Sequence, residues 1–491
     1  MTGWLDIRVG ARGASIGWCV VGGVLLALSL CFAYASPLFG YDHAVRDMPI
    51  FWLVGGLVGA GMIYLALPTI IRASERIPAS SVRTLLWVML AAGLAMRLIL
   101  FTSEPALEDD YQRYLWDGAV TANGLNPYAN SPEAAMAADP NSTTLGQLGK
   151  ESGLVLGRVN HPDLRTLYPP VAQGAFAISH WLAPWTLGGW HAVVLAMDVL
   201  SIGLLLMLLR DLGRSPLWSA LYWWNPVVLK EFYNSAHMDA LLIPLMLGAL
   251  LLSLRNRSLA ATACLTLAAG IKIWPVILLP LVWRKIVDRP RVLAACIALA
   301  VAGGALFAWP LIAAGLDQSS GLVAYAGNWT TNSALSPMTV NGSRWLLDTF
   351  GVSAINPAYL ARGAIALALG AIVLWQCRRP AADAKDTADK WLIVTGAMFL
   401  LSPAQFPWYY LWVLPFLSIR PIAGLLVLTA TLPLYYSAFY YLSHDSYADF
   451  STGIIWLIWL PAWGLLAWEA RHRVAAFIRP ENLMKNAEET S

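Results

Sequence analysis

Long apolar segments alternating with short polar ones dominate the pattern along this chain. A bilayer-spanning helix needs roughly 18 or more consecutive apolar residues, and many windows reach that length. They are Ile16 to Ala35, Ile50 to Ile71, Thr84 to Phe101, His191 to Leu209, Pro216 to Phe232, Met238 to Leu254, Val292 to Ile312, Pro357 to Trp375, Pro421 to Tyr441 and Gly453 to Trp468. The pattern predicts an all-α, polytopic integral membrane protein.

The arginines and lysines predict which side of the membrane each loop occupies. Those flanking the apolar windows would be cytoplasmic under the positive-inside rule: Arg8, Arg12, Arg72, Arg76, Arg83, Arg210, Arg214, Arg255, Arg257, Arg284, Lys285, Arg289, Arg291, Arg378, Arg379, Arg471 and Arg473. The assignment is consistent if Leu259 to Trp283 is a hairpin turning near Lys272 and Trp391 to Leu417 goes out and returns. Val171 to Trp185 is then a re-entrant or surface helix. About 14 crossings result, with both termini inside.

This topology places two long loops, Ser103 to Pro170 and Ala314 to Asn356, on the outer face. Most charges within apolar segments collect on that side, while Asp198 alone lies in mid-span. The outer set is Arg97, Lys230, Glu231, His237, Asp239 and Lys272. Each would cost about 2.5 to 3.5 kcal/mol at a bilayer centre, so a shared outer polar cavity explains them. We divide the chain into an N-terminal helix pair (1–83), a core (84–312), a second outer loop (313–356) and C-terminal helices with a short tail (357–491).

Composition narrows the function classes. The chain is 58% hydrophobic and 12% charged, which excludes a soluble globular protein. A net charge of +3, with basic residues scattered among short loops, gives no reason to expect a nucleic-acid partner. The five cysteines contain no CxxC pair and lie in or beside apolar runs, which argues against disulfides and a cysteine metal site. Ile16 to Ala35 lacks a convincing cleavage site, so it is read as a first helix.

An acidic run follows directly after the Thr84 to Phe101 window. It reads Glu108-Asp109-Asp110-Tyr111-Gln112-Arg113, at the surface where a lipid-linked substrate presents its head group. Asp109 or Asp110 could simply cap the next helix by accepting backbone N–H bonds. A carboxylate could also cap and act chemically, and charges beside lipid are more often functional than incidental.

Other polar motifs have structural alternatives as well. The Gly/Pro-containing pieces of the first outer loop could be turns only, and His161 is as easily a structural histidine as a ligand-binding one. Lys230 and Glu231 could neutralise each other, and Lys272 could extend its amine to the interface. The concentration of these groups on one predicted face favours a lined cavity.

Several motifs, in order along the chain, resemble the GT-C superfamily of integral-membrane glycosyltransferases, which use polyprenyl-phosphate sugars. The resemblance is to the bacterial polyprenol-phosphomannose-dependent α-mannosyltransferase branch, over about Arg97 to Arg291. The motifs are Asp110 with Arg113-Tyr114-Leu115-Trp116-Asp117-Gly118, Gly124-Leu125-Asn126-Pro127-Tyr128, His161-Pro162, Tyr168-Pro169-Pro170, Asn225-Pro226 with His237 and Asp239, and Ile271-Lys272-Ile273-Trp274-Pro275. A weaker C-terminal element, Phe406-Pro407-Trp408-Tyr409, has Phe406 where the family leads us to expect histidine, so the element receives no polar role.

The resemblance implies roles for particular residues. Asp110 would be the catalytic base, with Asp109 as second choice, because an acceptor hydroxyl needs a positioned base. Cations would stabilise charge on the departing polyprenyl phosphate, which needs no acid. The implied donor-phosphate groups are Arg97, Arg113 and Lys272, the implied sugar contacts are His161 and His237, and Tyr114, Tyr168 and Lys230 complete the substrate-binding set. Inversion would turn a β-linked lipid-phosphate mannose into an α-mannoside.

The resemblance leaves the cofactor, the substrates and two rival functions open. Metal dependence varies within the superfamily; Asp109 and Asp110 make a weak divalent-cation site, so we favour metal-independent transfer. The expected partners are a polyprenyl-phosphate sugar donor, an envelope lipid or glycan acceptor, and membrane lipids. Glucose, galactose, arabinose or a uronic acid could replace mannose, and a protein could be the acceptor.

Two rival functions remain. A lipid-linked sugar flippase should show two similar halves, and the sequence has no internal repeat. A non-catalytic scaffold would tolerate loss of Asp110. The expected location is a bacterial inner membrane, with the site facing outward.

Overall fold

The computed structural model describes residues 11–477, and this part of the chain folds into α-helices without any β-strand. Within the described residues, β-type backbone pairing is confined to isolated bridges, Arg165 with Ser320 and Thr331 with Ala404. The predicted all-α fold class is therefore confirmed. Arg8 and the predicted cytoplasmic tail after residue 477 lie outside the described residues.

Eight helical segments among residues 11–477 are long and apolar enough to cross a membrane. They are Gly13–Phe39, Ile50–Ser74, Ala79–Leu100, Leu187–Asp211, Pro290–Ala313, Pro357–Arg378, Ala423–Ser443 and Tyr447–His472. A bent pair, Pro226–Asn234 with Met238–Leu254, would add a ninth span. The polytopic architecture is confirmed. The total of about 14 crossings stays a prediction, because the other crossings would need shorter helices.

The first half of the chain contains helices α1 to α14. Their bounds are α1 Ala11–Ala35, α2 Ile50–Tyr64, α3 Leu67–Ser74, α4 Ala79–Leu100, α5 Asp110–Ala122, α6 Pro132–Ala137, α7 Thr144–Glu151, α8 Pro170–Leu182, α9 Leu187–Asp211, α10 Ala220–Trp223, α11 Pro226–Leu229, α12 Leu242–Leu254, α13 Ser258–Ala269 and α14 Leu279–Trp283. A π-helical turn, Lys230–Asn234, and 3₁₀ turns at Met238–Leu241 and Trp274–Leu278 connect some of them.

The second half contains helices α15 to α25. Their bounds are α15 Pro290–Ala313, α16 Gly321–Asn328, α17 Leu335–Thr349, α18 Pro357–Arg378, α19 Ala384–Leu401, α20 Leu414–Ile419, α21 Ala423–Leu426, α22 Leu428–Thr431, α23 Ser437–Ser443, α24 Tyr447–Asp449 and α25 Ile455–Phe477. A 3₁₀ segment, Pro407–Trp412, lies between α19 and α20.

A sharp bend after α11 brings polar residues into the interior of the bundle. The two parts of the bent pair meet at 108°, across residues 235–237. Asn225 starts the first part by accepting a backbone hydrogen bond from Val227 at 2.9 Å. At the bend Ala236 has a positive φ of 60°, which an L-residue adopts only when its surroundings hold it there. His237, just after it, is completely buried.

The hairpin predicted for Leu259 to Trp283 is present. Helix α13 ends at Ala269, the chain turns through Gly270 and Lys272, and α14 packs back on α13. Gly270 is required here because a β-carbon would lie 2.4 Å from Val171 Cγ2. The Gly270 carbonyl also accepts a hydrogen bond from Val171 N at 2.9 Å, which docks the start of α8 on the turn.

The other two predicted irregular segments also have the expected form. Helix α19 breaks after Leu401, and α20 packs back against it beyond the 3₁₀ segment. Helix α8 has 13 residues, so it is about 20 Å long and too short to span a bilayer. This agrees with its interpretation as a re-entrant or surface helix.

The two loops predicted to share the outer face are joined directly to each other. Arg165 N donates to Ser319 O at 2.8 Å, and Gly321 N donates back to Arg165 O at 3.1 Å. The Arg165 guanidinium pairs with Asp317 at 2.8 Å. The loops therefore form one continuous cover over the cavity described next.

Candidate active site

A cavity of about 540 Å³ lies where both outer loops meet the bend, the α13–α14 hairpin and the segment after α19. Its polar and aromatic lining residues include Glu108, Asp110, Arg113, Tyr114, Asn160, His161, Arg165, Tyr168, Asp239, Lys272, Trp274, Tyr325, Trp329, Arg362, Phe406, Trp408, Tyr409, Trp412 and Tyr435. The volume lies in the range of small-molecule sites. Six of the predicted site residues line it together: Asp110, Arg113, Tyr114, His161, Tyr168 and Lys272.

The two aspartates at the start of α5 are held by an asparagine from the far end of the first loop. Asn160 Nδ2 donates to Asp109 Oδ1 at 2.8 Å and to Asp110 Oδ1 at 2.9 Å. Asp109 occupies the position before the helix, but its side chain accepts no capping hydrogen bond. Asp109 therefore does not cap α5, and the purely structural alternative does not hold for this residue.

Asp109 is held in an environment that disfavours its charge. Burial and the neighbouring charges of Asp110 and Glu108 together raise the pKa of its carboxyl to about 6, with burial the largest cause. The hydrogen bond from Asn160 acts in the opposite direction. Asp109 is not among the residues that line the cavity, whereas Asp110 is. Of the two aspartates, Asp110 is thus the one with direct access to a substrate.

His237 links Asp110 to two glutamates. Its Nδ1 lies 3.8 Å from Asp110 Oδ2, while its Nε2 lies 3.6 Å from Glu108 Oε2 and 3.4 Å from Glu231 Oε2. The imidazole stacks on Trp408 with ring centroids 3.8 Å apart. His237 does not line the cavity itself, so the predicted direct sugar contact is not supported by its position.

Lys272 reaches the cavity from the hairpin turn and is paired there. Its Nζ lies 2.8 and 3.0 Å from the two carboxylate oxygens of Asp239, which also accepts from Trp412 Nε1 at 2.6 Å. The same ammonium lies 4.2 Å from the ring centroid of Tyr409. Lys272 is therefore a fixed cation at the cavity wall, not one that extends to the membrane surface.

Aromatic rings cover one side of the cavity. Trp412 stacks between Tyr409 at 4.3 Å and Trp274 at 4.8 Å, measured between centroids. The Tyr409 hydroxyl lies 2.6 Å from that of Tyr325, which comes from the second outer loop. Ring faces of this kind pack against the C–H face of a sugar, while the hydroxyls remain available for hydrogen bonds.

Arg113 holds the first loop in place. Its guanidinium donates to the carbonyls of Leu164, Asn160 and His161 at 2.9 to 3.0 Å. These contacts engage both terminal nitrogens, so the position favours a structural role over the predicted binding of a donor phosphate. His161 itself is exposed, has a positive φ of 45° and packs edge-on against Trp329.

Arg97 lies away from the cavity, in contrast to its predicted role at the donor phosphate. Its Nε pairs with Asp198 Oδ2 at 2.7 Å, and both side chains are fully buried. Asp198 also accepts from Tyr222 at 2.5 Å and Tyr233 at 2.8 Å, while Trp223 covers the guanidinium at 3.4 Å. Asp198 is the one mid-span charge that the sequence left unexplained, and its partner is Arg97 on helix α4.

Lys230 is also directed away from the cavity. Its Nζ donates to the Ala106 carbonyl at 3.1 Å and to Ser235 Oγ at 2.5 Å, and lies 4.0 Å from Glu108 Oε1.

Tyr114 and Tyr168, by contrast, line the cavity and pack edge to face, with ring centroids 5.2 Å apart.

Some site residues were not identified from the sequence. Glu108 lies in the acidic run but was passed over in favour of the aspartates. Trp408 and Tyr409 lie in the element 406–409, for which the sequence predicts no polar role, and Trp412 follows it three residues later. The aromatic density of this stretch is the signal that could have marked it as a binding wall. Tyr325 lies in the loop 314–356, in which the sequence predicts no site residue.

Comparison with known proteins identifies two matches. The profile of Glycosyltransferase family 87 matches residues 166–403, a stretch that begins after the acidic run. An Alpha-(1->6)-mannopyranosyltransferase A of Mycobacterium tuberculosis is 26% identical over 340 residues, covering 66% of this chain and 63% of that relative. The match thus spans less than two thirds of the relative's length. No solved structure matches the chain significantly. The two matches confirm the resemblance of this chain to the GT-C glycosyltransferases, in their mannosyltransferase branch.

Proposed function

We propose that this protein is an inverting glycosyltransferase that moves a hexose, mannose in the first instance, from a polyprenyl monophosphate to an envelope lipid or glycan. The reaction takes place in the cavity, on the outer face of a bacterial inner membrane. The observation that carries the proposal is the position of Asp110, a carboxylate fixed by Asn160 at the wall of a cavity that also contains a buried cation and an aromatic surface.

Asp110 has the geometry of a general base. Asp110 lines the cavity; Asn160 occupies one of its oxygens, and the other lies 3.8 Å from His237 Nδ1. An acceptor hydroxyl placed against this oxygen would lose its proton to Asp110 as it attacks the anomeric carbon. The bond between that carbon and the phosphate oxygen breaks, and its electron pair leaves with the phosphate. A positioned base of this kind contributes about 10² to 10⁴ in rate.

Lys272 is the cation best placed for the departing phosphate. It lies at the cavity wall on the hairpin turn, and its pairing with Asp239 fixes its position before substrate arrives. A preorganised charge costs no reorganisation when negative charge develops. The aromatic wall beside it, Trp412 with Tyr409 and Trp274, would receive the sugar ring.

The choice of mannose rests on the relative. That protein is named as an α-(1→6)-mannopyranosyltransferase and is 26% identical to this chain over 340 residues. The polyprenyl carrier follows from the GT-C resemblance and agrees with a cavity that is embedded among membrane-length helices.

The test is sugar transfer in membranes that contain the protein. Synthetic polyprenyl-phosphate mannose would be supplied with a panel of envelope acceptors, and wild type compared with Asp110→Asn. We expect an α-linked product from wild type and its loss in a variant that remains monodisperse in detergent. No transfer by wild type from any polyprenyl-phosphate sugar would overturn the proposal, and a lipid-linked sugar flippase or a scaffold would then be the better reading.

A further inference from the structure

We propose that Glu108, Glu231 and His237 form a binding site for one divalent transition-metal ion, directly behind Asp110. This site differs from the Asp109–Asp110 pair considered from the sequence. It rests on the geometry of the three side chains, not on the sugar transfer proposed above. The three residues come from the first outer loop, the π-helical turn and the bend, so only the folded chain brings them together.

The separations between the His237 nitrogen and the two carboxylate oxygens fit a metal ion and do not fit hydrogen bonds. His237 Nε2 lies 3.4 Å from Glu231 Oε2 and 3.6 Å from Glu108 Oε2. An N–H···O hydrogen bond would require about 2.7 to 3.2 Å. Bonds of about 2.0 to 2.2 Å to a tetrahedral ion, by contrast, separate its ligands by about 3.3 to 3.6 Å.

Two of the buried atoms that face this point have no hydrogen-bond partner. They are Glu231 Oε2 and His237 Nε2, and their side chains are 1% and 0% exposed. An unsatisfied buried carboxylate oxygen or imidazole nitrogen is costly, and such atoms are rare in native proteins. An ion between them would satisfy both at once.

The other carboxylate oxygen of each glutamate lies near the hydroxyl of Tyr436. The Tyr436 hydroxyl lies 2.6 Å from Glu231 Oε1 and 3.4 Å from Glu108 Oε1, which turns the opposite oxygens toward His237. The other ring nitrogen of His237 faces Asp110 Oδ2 at 3.8 Å. A metal-bound histidine commonly has a carboxylate on its second nitrogen, which orients the ring.

The charge balance and the access route also suit a dication. With His237 neutral, as a metal ligand must be, the ionised carboxylates of Glu108 and Glu231 supply two negative charges, and Lys230, 4.0 Å from Glu108, offsets one. A buried net negative charge is unfavourable in an apolar bundle unless a cation compensates it. Glu108 lines the cavity, so an ion can enter from there. One imidazole and two carboxylates suit Zn²⁺ and its first-row neighbours.

The experiment measures metal in the full-length protein, purified in detergent and stripped with a chelator. Zn²⁺ is titrated against a competing indicator, and Co²⁺ is added separately to record visible absorption. We expect about one equivalent of Zn²⁺ per chain and the absorption of a four-coordinate Co²⁺ site. His237→Gln and Glu231→Gln should each weaken Zn²⁺ binding more than about 100-fold.

Matched control variants are available in the same chain. His191 is equally buried and both its ring nitrogens lack partners, but no carboxylate lies within 4 Å of it in the described residues. Glu469 is a buried glutamate whose Oε2 has no partner. His191→Gln and Glu469→Gln should leave Zn²⁺ affinity unchanged. If His237→Gln does not fold, Glu108→Gln at the cavity wall replaces it.

Absence of Zn²⁺ and Co²⁺ binding by folded wild type would overturn the metal site, as would equal losses in His191→Gln and His237→Gln. Because metal content is measured without any sugar donor, a failure here is distinguishable from a failure of the transferase proposal. If the protein binds the ion but transfers no sugar, the metal-site proposal stands and the transferase proposal is overturned.

Discussion

Two clusters of charge lie inside the apolar bundle, and they differ in their access to the cavity. The pair of Arg97 and Asp198 is fully buried; Asp198 accepts from Arg97, Tyr222 and Tyr233, although Arg97 Nη2 has no hydrogen-bond partner. In the cluster around Asp110 and His237 several buried atoms lack partners, and Asp110 lines the cavity. The first pair is neutralised within the fold, whereas the second cluster can be reached by a ligand from the cavity.

This difference separates structural charges from functional ones. The position of a charge within a helix does not separate them. Arg97 and Lys272 both lie in or beside apolar segments, and both were expected at the donor phosphate. A charge whose partners are all supplied by the fold contributes to stability and specificity. A charge with access to a cavity can interact with a ligand. The predictions below test that distinction.

The largest expected effect is on transfer by Asp110→Asn. Loss of the base should lower the rate by about 10² to 10⁴, while the thermal stability in detergent stays near that of wild type because Asn keeps the shape and the contact with Asn160. Transfer assays and a thermal unfolding curve on the same preparation would measure both. Unchanged transfer in this variant would place the base elsewhere.

Arg97→Met should show the opposite profile. Removing the guanidinium leaves Asp198 buried and unpaired, so we expect a loss of about 3 to 5 kcal/mol in stability. Chemical unfolding in detergent would measure it. Adding Asp198→Asn should recover a large part of the loss, since the amide oxygen can accept from one tyrosine hydroxyl and the amide NH2 can donate to the oxygen of the other. Reduced transfer with unchanged stability would instead assign Arg97 to the substrate.

Lys272→Met should reduce transfer by about 10² to 10³ with a smaller effect on stability, if its charge acts on the departing phosphate. The double variant Lys272→Met with Asp239→Asn tests the alternative, in which Lys272 only neutralises Asp239. Restored transfer in the double variant would support neutralisation. Continued loss would support an interaction with the donor.

Arg113→Ala should act through the first loop. Without the hydrogen bonds to the carbonyls of residues 160, 161 and 164, the loop loses its fixed position, and we expect KM for the donor to rise about tenfold. The value of kcat should change much less. Steady-state kinetics would separate the two constants. A drop in kcat alone, with the loop still resistant to proteolysis, would favour a direct role in chemistry.

Asp109→Asn should have the smallest effect, and it should depend on pH. The pKa of Asp109 is raised from 3.8 to about 6, so the neutral form is favoured in the fold. The resulting stability is fully present below pH 3.8 and is lost as pH rises through about 6. The Asn variant lacks this dependence. The rise in pKa from 3.8 to about 6 corresponds to about 3 kcal/mol, and solvent screening at the partly exposed carboxyl reduces it, so the variant should be about 1 to 2 kcal/mol more stable than wild type at pH 7.5. Parallel stability curves from pH 4 to 8 would contradict this.

Much of the fold could be predicted because membrane helices are encoded locally. Apolar length, breaks at Ser402-Pro403 and the turn near Lys272 identify helices and hairpins without knowledge of their neighbours. The count of crossings was less certain, because short and bent helices such as α12 and α13 fall below the length that defines a span by itself.

The candidate site was predicted in part, for a similar reason. Asp110 and Lys272 are recognised by local motifs, and both line the cavity. Asp198 and Glu108 lie far along the chain from Arg97 and His237, so no local pattern could reveal these pairings. Glu231 is close to His237 in sequence, but the bend between them sets its position against the imidazole.

The sequence by itself determined the class of the protein, the helices and the family resemblance, because hydropathy and short motifs are properties of contiguous residues. The tertiary structure decided which charges share a cavity and which neutralise one another. That decision depends on distances of a few ångströms between segments up to 328 residues apart, as between Tyr436 and Glu108. Coulombic and coordination interactions are set by such distances and by burial, neither of which is written in the order of residues.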